Sequence, residues 1–291
     1  MKVVLPALAR PLLEPHLPAG LDITWVTTRE EAVAATPRAD IAWVDLYPHG
    51  LTAEAVRAGT SLKWLFTAIA GLDSLDLPGL ARQGTIVTNG TGINAVAVAE
   101  YAVMGVLVAA KRYDEVVRMA ARHEWPDSAP GRTELFETKA LIIGMGAIGG
   151  LIAQRLRAFG VEVTGVTRSG RDGTLTPAQW RGQLGNFDWV ILGAPSTDET
   201  KAMIGADELI SMKPSAWLIN IARGDMIDQE ALIDALQTRR IAGAFLDPTE
   251  LEPLPADHPL WDAPNALITM HLSGRSQTKM FIRAAALFLR N

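Results

Sequence analysis

The chain has 291 residues, with 27 Lys+Arg against 32 Asp+Glu and no cysteine. Its length predicts about two domains, and a net charge of −5 excludes a basic nucleic-acid footprint or a polybasic membrane contact. Apolar residues at 48% and charged residues at 20% give the mix of a globular core, while the lack of cysteine excludes disulfides, thiolate metal sites and cysteine nucleophiles; no metal site is expected.

The first residues are apolar, but Pro6, Arg10, Pro11, Glu14, Pro15 and Pro18 interrupt any secretory core. Short β-like runs are predicted at residues 1–5, 22–26, 41–44, 64–68 and 85–88, with helical stretches such as 7–13 and 52–58 between them. This alternation predicts a parallel sheet with crossover helices. A long helix is predicted over 95–122, ended by Pro126, which pushes its preceding residue out of helical geometry. The longest apolar stretch, 93–110, contains Asn94 and Glu100 and falls short of the roughly 20 apolar residues of a membrane span. A soluble, cytoplasmic protein without a membrane contact is therefore expected. After a polar segment, a second alternation places β-like runs at 140–143, 161–166, 189–192, 217–220, 242–246 and 267–269, which predicts a six-strand doubly wound sheet. Residues 276–290 read as an amphipathic helix.

The run at 140–143 leads into Gly144-Met-Gly146-Ala147-Ile148-Gly149 and then a helix, the setting in which G-x-G-x-x-G binds a dinucleotide. Gly144 permits the tight turn, Gly146 lets the backbone approach a pyrophosphate, and Gly149 lets the helix pack close to the strand. The helix N-terminus offers N–H groups and partial positive charge to the phosphates. The run at 161–166 ends in Thr167-Arg168-Ser169 with Arg171 behind it, and no acid stands at the tip. An Arg there pairs with a 2′-phosphate and the hydroxyl of Thr167 or Ser169 adds a donor, which predicts NADP(H) in preference to NAD(H), with NAD(H) still possible.

Three later runs end in charged groups: 217–220 before Arg223, 242–246 before Asp247 and Glu252, and 267–269 before His271. Ligand crevices of open α/β sheets lie at strand carboxyl ends, so these groups are candidates to meet beside a nicotinamide. With Ala70-Gly71-Leu72-Asp73, Thr88-Asn89 through Glu100-Tyr101, the 144–149 turn, Pro195 to Thr200, Asn220 to Gly224, Glu252-Pro-Leu-Pro, His258 to Trp261 and His271, the chain resembles the D-isomer-specific 2-hydroxyacid dehydrogenases, which include glyoxylate/hydroxypyruvate reductases.

The resemblance implies an α/β fold of two Rossmann-like domains: a doubly wound dinucleotide-binding domain (94–270) and a smaller flavodoxin-like substrate domain (1–93 plus 271–291), with a cleft between them. It implies His271 as acid and base, Glu252 fixing its tautomer and favouring its protonated form, and Arg223 binding the substrate carboxylate and polarising the keto oxygen. Backbone N–H groups of Ala70, Gly71 and Leu72 would hold the carboxylate as well. Cofactor contacts are implied for Gly144, Gly146, Ala147, Ile148, Gly149, Thr167, Arg168, Ser169, Pro195, Thr200, Ala222 and Asp247, the last toward the nicotinamide carboxamide. Leu72, the neighbourhood of Tyr47, and Trp261 are expected as pocket walls, and His258 as structural. A small 2-keto/2-hydroxy acid is the implied substrate and a homodimer the implied assembly. Another small acid, or a corepressor-like NAD(P)H sensor on the same fold, are the alternatives. The sequence departs from the family pattern at Met270, where proline is usual, at Pro248-Thr249 and at Gly90-Thr91, and it ends at Asn291, short of the usual tail.

Overall fold

A computed structural model describes residues 1–46, 50–72, 74–275 and 279–291. Tyr47, Asp73 and the start of the helix expected at 276–290 lie outside the described residues. The chain forms two compact units, Met1–Asn94 with Ser276–Asn291, and Ala95–Arg275. The second division falls after Arg275 rather than after Met270, so His271 lies in the same unit as the glycine turn.

In the first unit β1 (Lys2–Pro6), β2 (Asp22–Val26) and β3 (Ile41–Trp43) are followed by a two-residue antiparallel pair, β4 (Asp45–Leu46) and β5 (Gly50–Leu51), then by β6 (Trp64–Phe66) and β7 (Ile86–Thr88). The main sheet is parallel, in the order β2-β1-β3-β6-β7. Successive side chains point to opposite faces: Val3, Leu5, Trp43 and Phe66 join one cluster, Val4, Ala42 and Leu65 the other. The helix Met280–Arg290 lays Ala284, Ala285 and Phe288 into the first cluster. Phe288 stacks on Trp64 with centroids 4.8 Å apart and on Trp43 at 5.6 Å. Such ring pairs add about 0.5–1.5 kcal/mol beyond their buried area, which accounts for the end of the chain belonging to the first sheet.

Asp45 is a buried carboxylate in this unit, 5% exposed. Burial pushes it up to about 6 from an ordinary value near 3.8, against hydrogen bonds from Ala68, Thr67 and Trp43 that favour the charged form. The folded chain holds this proton more tightly than the unfolded chain. The group's contribution to stability is therefore complete below about pH 3.8 and is lost as pH rises through about 6. Asp45→Asn, uncharged throughout, is expected to be more stable than the wild type near neutral pH, by at most about 3 kcal/mol. The gap should close towards pH 4, as followed by thermal melts across this range; a gain persisting undiminished in acid would contradict it.

In the second unit β8 (Lys139–Ile143), β9 (Glu162–Val166), β10 (Trp189–Leu192), β11 (Trp217–Asn220), β12 (Gly243–Leu246) and β13 (Ala266–Ile268) form a parallel sheet in the order β13-β12-β11-β10-β8-β9. Between β9 and β10 the chain makes short 3₁₀ turns and a single bridge, Val166 to Leu175. β9 and β10 flank β8 on opposite sides, so the order reverses at β8, and the crevice of such a sheet opens at the carboxyl ends of β8 and β10. Strand interiors read as continuous apolar runs, WVIL in β10 and WLI ahead of Asn220 in β11, because both faces are buried. Leu141, Val190 and Leu218 pack on one side. Ile142, Ile191 and Ile219 pack on the other, with Val98, Ala102 and Val106 of the helix Ala95–Lys111. Each fully buried aliphatic side chain contributes about 1.5–3 kcal/mol.

The single helix expected over 95–122 is two helices, Ala95–Lys111 and Tyr113–Ala121. Arg112 breaks it in the left-handed region, φ 47°. Its guanidinium lies over the Trp217 ring and donates to Asp114, Glu115 and Asn265. Tertiary partners 153 residues away override the local helical pattern. No helix among the described residues is long and apolar enough to cross a membrane.

Candidate active site

At the end of β8, Gly144 has φ +106°, and a Cβ there would lie 2.4 Å from the Ala194 nitrogen. A Cβ at Gly149 would lie 2.0 Å from the Gly144 carbonyl oxygen, so the helix Ala147–Ala158 runs hard against the turn. A Cβ at Gly146 would meet nothing within 4 Å, and Gly146 offers no side-chain cap to the helix. The turn is thus closed on the protein side and open at the helix N-terminus that carries Ala147 and Ile148, a cradle that fits a pyrophosphate.

A groove of about 330 Å³ begins here and is lined by Gly144, Gly146, Thr167, Arg168, Pro195 and Thr200 among others. The Thr200 hydroxyl accepts from the Thr197 N–H and donates to the Pro195 carbonyl, which closes the 195–200 loop on itself. Arg168, at the tip beyond β9, is largely exposed and lies 3.7 Å from the Glu199 carboxylate. Arg171 and Arg181 line the same groove, and Arg181 pairs with Glu208 while lying over the Trp180 ring. The Thr174 hydroxyl donates to the Arg171 carbonyl, so the Thr167 hydroxyl, 2.7 Å from it, gives its own proton to Thr174. Of the two hydroxyls expected as donors, this leaves Ser169, which is exposed.

The three charged candidates follow three adjacent strands, β11, β12 and β13. Beyond β11, buried Asn220 shapes the turn: its Nδ2 donates to the Arg223 carbonyl and its Oδ1 accepts from the Ala222 N–H. The Arg223 guanidinium donates to the Ala222 carbonyl at 2.8 Å. A Cβ at Gly224 would lie 2.0 Å from the Thr249 carbonyl carbon, so the Arg223 turn and the loop beyond β12 touch backbone to backbone. Asp225 accepts from Ser196, tying that turn to the 195–200 loop.

His271 and Glu252 meet: Nδ1 is 2.8 Å from Glu252 Oε2, with both side chains a little under half exposed. Glu252 Oε1 accepts from the Thr249 N–H. With Nδ1 donating to the carboxylate, Nε2 is the nitrogen left for exchange with a ligand. Asp247, for which the resemblance implies a nicotinamide contact, also serves the chain itself. Its carboxylate is 1% exposed and Oδ1 accepts from Thr269 Oγ1 and from the N–H groups of Leu272 and Ser273. Its carbonyl accepts from the His271 N–H. Asp247 thus holds the turn that carries His271, in which both Met270 (φ 53°) and His271 (φ 54°) are left-handed.

His258 braces its loop, with Nδ1 accepting from Leu260 and Nε2 2.9 Å from the Gln229 amide. Trp261 donates to the Pro255 carbonyl and is partly exposed. Asn220 and Arg181 were not among the expected site residues. Asn220, next to the Arg223 motif at a strand end, was findable as a turn-forming amide. Arg181 had no signal beyond its charge.

The family model for the D-isomer specific 2-hydroxyacid dehydrogenase NAD binding domain matches residues 103–273. A glyoxylate reductase from Thermofilum pendens is 33% identical over 86% of this chain and 76% of its own length. A D-3-phosphoglycerate dehydrogenase from Mycobacterium tuberculosis is 31% identical over 87% of this chain, which spans only 49% of that longer protein. The crystal structure of a D-isomer specific 2-hydroxyacid dehydrogenase family protein from Aeromonas salmonicida superposes with a TM-score of 0.87 at 29% identity, covering 100% of this chain and 94% of that one. Sheet order, glycine turn and matched sequence agree, and the chain belongs to the D-isomer-specific 2-hydroxyacid dehydrogenases, NAD-binding oxidoreductases of two Rossmann-like domains.

Proposed function

We propose that the protein reduces a small 2-keto acid of the glyoxylate/hydroxypyruvate kind to its D-2-hydroxy acid, with NADPH preferred over NADH. The observation that carries the proposal is the 2.8 Å contact between His271 Nδ1 and Glu252. It fixes the ring with Nε2 as the proton-exchanging nitrogen, and histidine serves as acid or base near neutral pH. Gly144, Gly146, Ala147, Ile148 and Gly149 hold the pyrophosphate. Pro195, Thr200 and Ala222 line the cofactor's path, and Arg168 with Ser169 reads the 2′-phosphate. When bound, the reduced nicotinamide supplies hydride to C2 of the keto acid. Arg223 binds the substrate carboxylate with its planar fork and polarises the keto oxygen, N–H groups of Ala70, Gly71 and Leu72 are assigned to the same carboxylate, and His271 delivers the proton.

Consumption of NADPH with glyoxylate and hydroxypyruvate tests the proposal: turnover is expected, and none with any 2-keto acid would overturn it. Arg168→Ala is expected to raise KM for NADPH by about tenfold or more, the effect of one lost charge-assisted contact, and to leave KM for NADH nearly unchanged. Equal effects on both cofactors would remove Arg168 from phosphate recognition.

A homodimer completes the reading. Tyr113, Val116 and Val117 are exposed on one helix, and a groove of about 570 Å³ is walled by Val103, Met104, Leu107, Val108 and Phe159. Tyr113 also lines this groove, whose rim carries Glu100, Lys111 and Arg155, and an exposed apolar patch rimmed by polar residues marks an association site. Light scattering is expected to give twice the 31.3 kDa of one chain, and the mass of a single chain would exclude the dimer.

A further inference from the structure

The proposed chemistry makes no use of Asp45, which stands at the start of β4 just beyond β3. Trp43 Nε1 donates to its Oδ2 at 2.8 Å, Thr67 Oγ1 donates to its Oδ1 at 2.8 Å, and the Ala68 N–H donates to Oδ2. Thr67 Oγ1 in turn accepts from the Ile69 N–H at 3.1 Å. Residues 67, 68 and 69 are thus tied to one carboxylate, directly or through one hydroxyl. From the β7 side, the Gly90 N–H donates to the Ile69 carbonyl at 3.0 Å and Asn89 Nδ2 to the Ala70 carbonyl at 2.7 Å. A side chain at position 90 would strike the Ala68 carbonyl. The segment held in this way runs straight into Ala70, Gly71 and Leu72. Among the described residues, no hydrogen bond uses the N–H group of any of these three.

We infer that Asp45 is a positioning residue for substrate binding: it fixes the 67–69 segment so that the N–H groups of Ala70, Gly71 and Leu72 are presented together to a carboxylate. What the loop binds rests on the proposed 2-keto-acid reduction; how the loop is held does not. A carboxylate suits the task because it accepts several donors at once and donates none. Among the described residues, the groups facing it, Trp43, Thr67 and Ala68, carry no charge and offer its burial no counter-ion. An apolar residue would spare that cost and would leave those donors buried without a partner.

The test combines hydrogen exchange of the unliganded protein with steady-state kinetics on hydroxypyruvate and NADPH. In Asp45→Ala, amides 68–72 are expected to exchange about tenfold faster, and KM for hydroxypyruvate to rise about tenfold, with kcat and KM for NADPH close to wild type. Asp45→Asn keeps an acceptor oxygen, and the Thr67 hydroxyl can reverse to accept, so it should stay near wild type in both readouts. Thr67→Val, of nearly the same shape, should move both in the same direction as Asp45→Ala by a smaller factor, which keeps the test decisive if Asp45→Ala does not fold. Unchanged exchange at 68–72 in the variants, or a loss that falls on kcat or on KM for NADPH, overturns the inference. Wild-type protein inactive on every 2-keto acid would overturn the substrate role through the proposed function, and the exchange arm would still decide whether Asp45 holds the loop.

Discussion

Replacing His271 by Ala is expected to lower kcat for keto-acid reduction by about 10²–10⁴-fold, the usual contribution of a positioned general acid, and to leave NADPH affinity close to wild type. The two effects separate because the imidazole and the phosphate cradle stand at the carboxyl ends of different strands, His271 beyond β13 and Gly144 at the end of β8. Glu252→Gln should lower kcat by a smaller factor. Its amide still reaches Nδ1 at the 2.8 Å position of Oε2, but it no longer offers a full charge to the imidazolium. NADPH titration by fluorescence and initial rates at saturating substrate measure the split. Normal kcat in His271→Ala would remove the imidazole from the mechanism.

The second large effect is expected one residue earlier, from Met270→Pro. Met270 and His271 both occupy the left-handed region, at φ 53° and 54°. Proline is locked near −65° and cannot take up this backbone. The turn would have to rearrange, although Asp247 holds Leu272 and Ser273 behind it. A displacement of about 1 Å at the acid costs about 10²-fold in rate. The Met270 side chain is 60% exposed, so the substitution removes little packing and the loss should appear in kcat more than in melting temperature. Met270→Gly, for which positive φ carries no steric cost, should retain near-normal activity. Wild-type kcat in Met270→Pro would show that the turn does not need this conformation.

Most of the architecture was legible because it is written locally. Apolar runs such as WVIL at 189–192 and WLI at 217–219 coincide with strands, since burial on both faces demands continuous hydrophobicity. The glycine spacing at 144–149 was readable for the same reason: one position needs positive φ, one needs open space and one a close approach, all within six residues. Their places after neighbouring strands made His271 and Glu252 candidates to meet, and their pairing was what the family resemblance implied.

The rest depends on partners remote in sequence. The break at Arg112 is set by Asn265 and Trp217. Asp45 carries no signal in the local sequence, because its donors Thr67 and Ala68 lie more than twenty residues away. Asp247 carried an implied cofactor role, and only the fold reveals that its oxygens serve the turn beyond β13. Thr167 likewise looked available until Thr174 came into reach.

Hydride transfer at the His271 site is tested most directly by isotope. Protein mixed with hydroxypyruvate and NADPH deuterated at the transferable C4 position should yield D-glycerate with deuterium at C2, and His271→Ala should yield almost none while still binding the nucleotide. Unlabelled glycerate, the L-isomer, or nucleotide bound without any transfer by the wild-type protein would contradict the account.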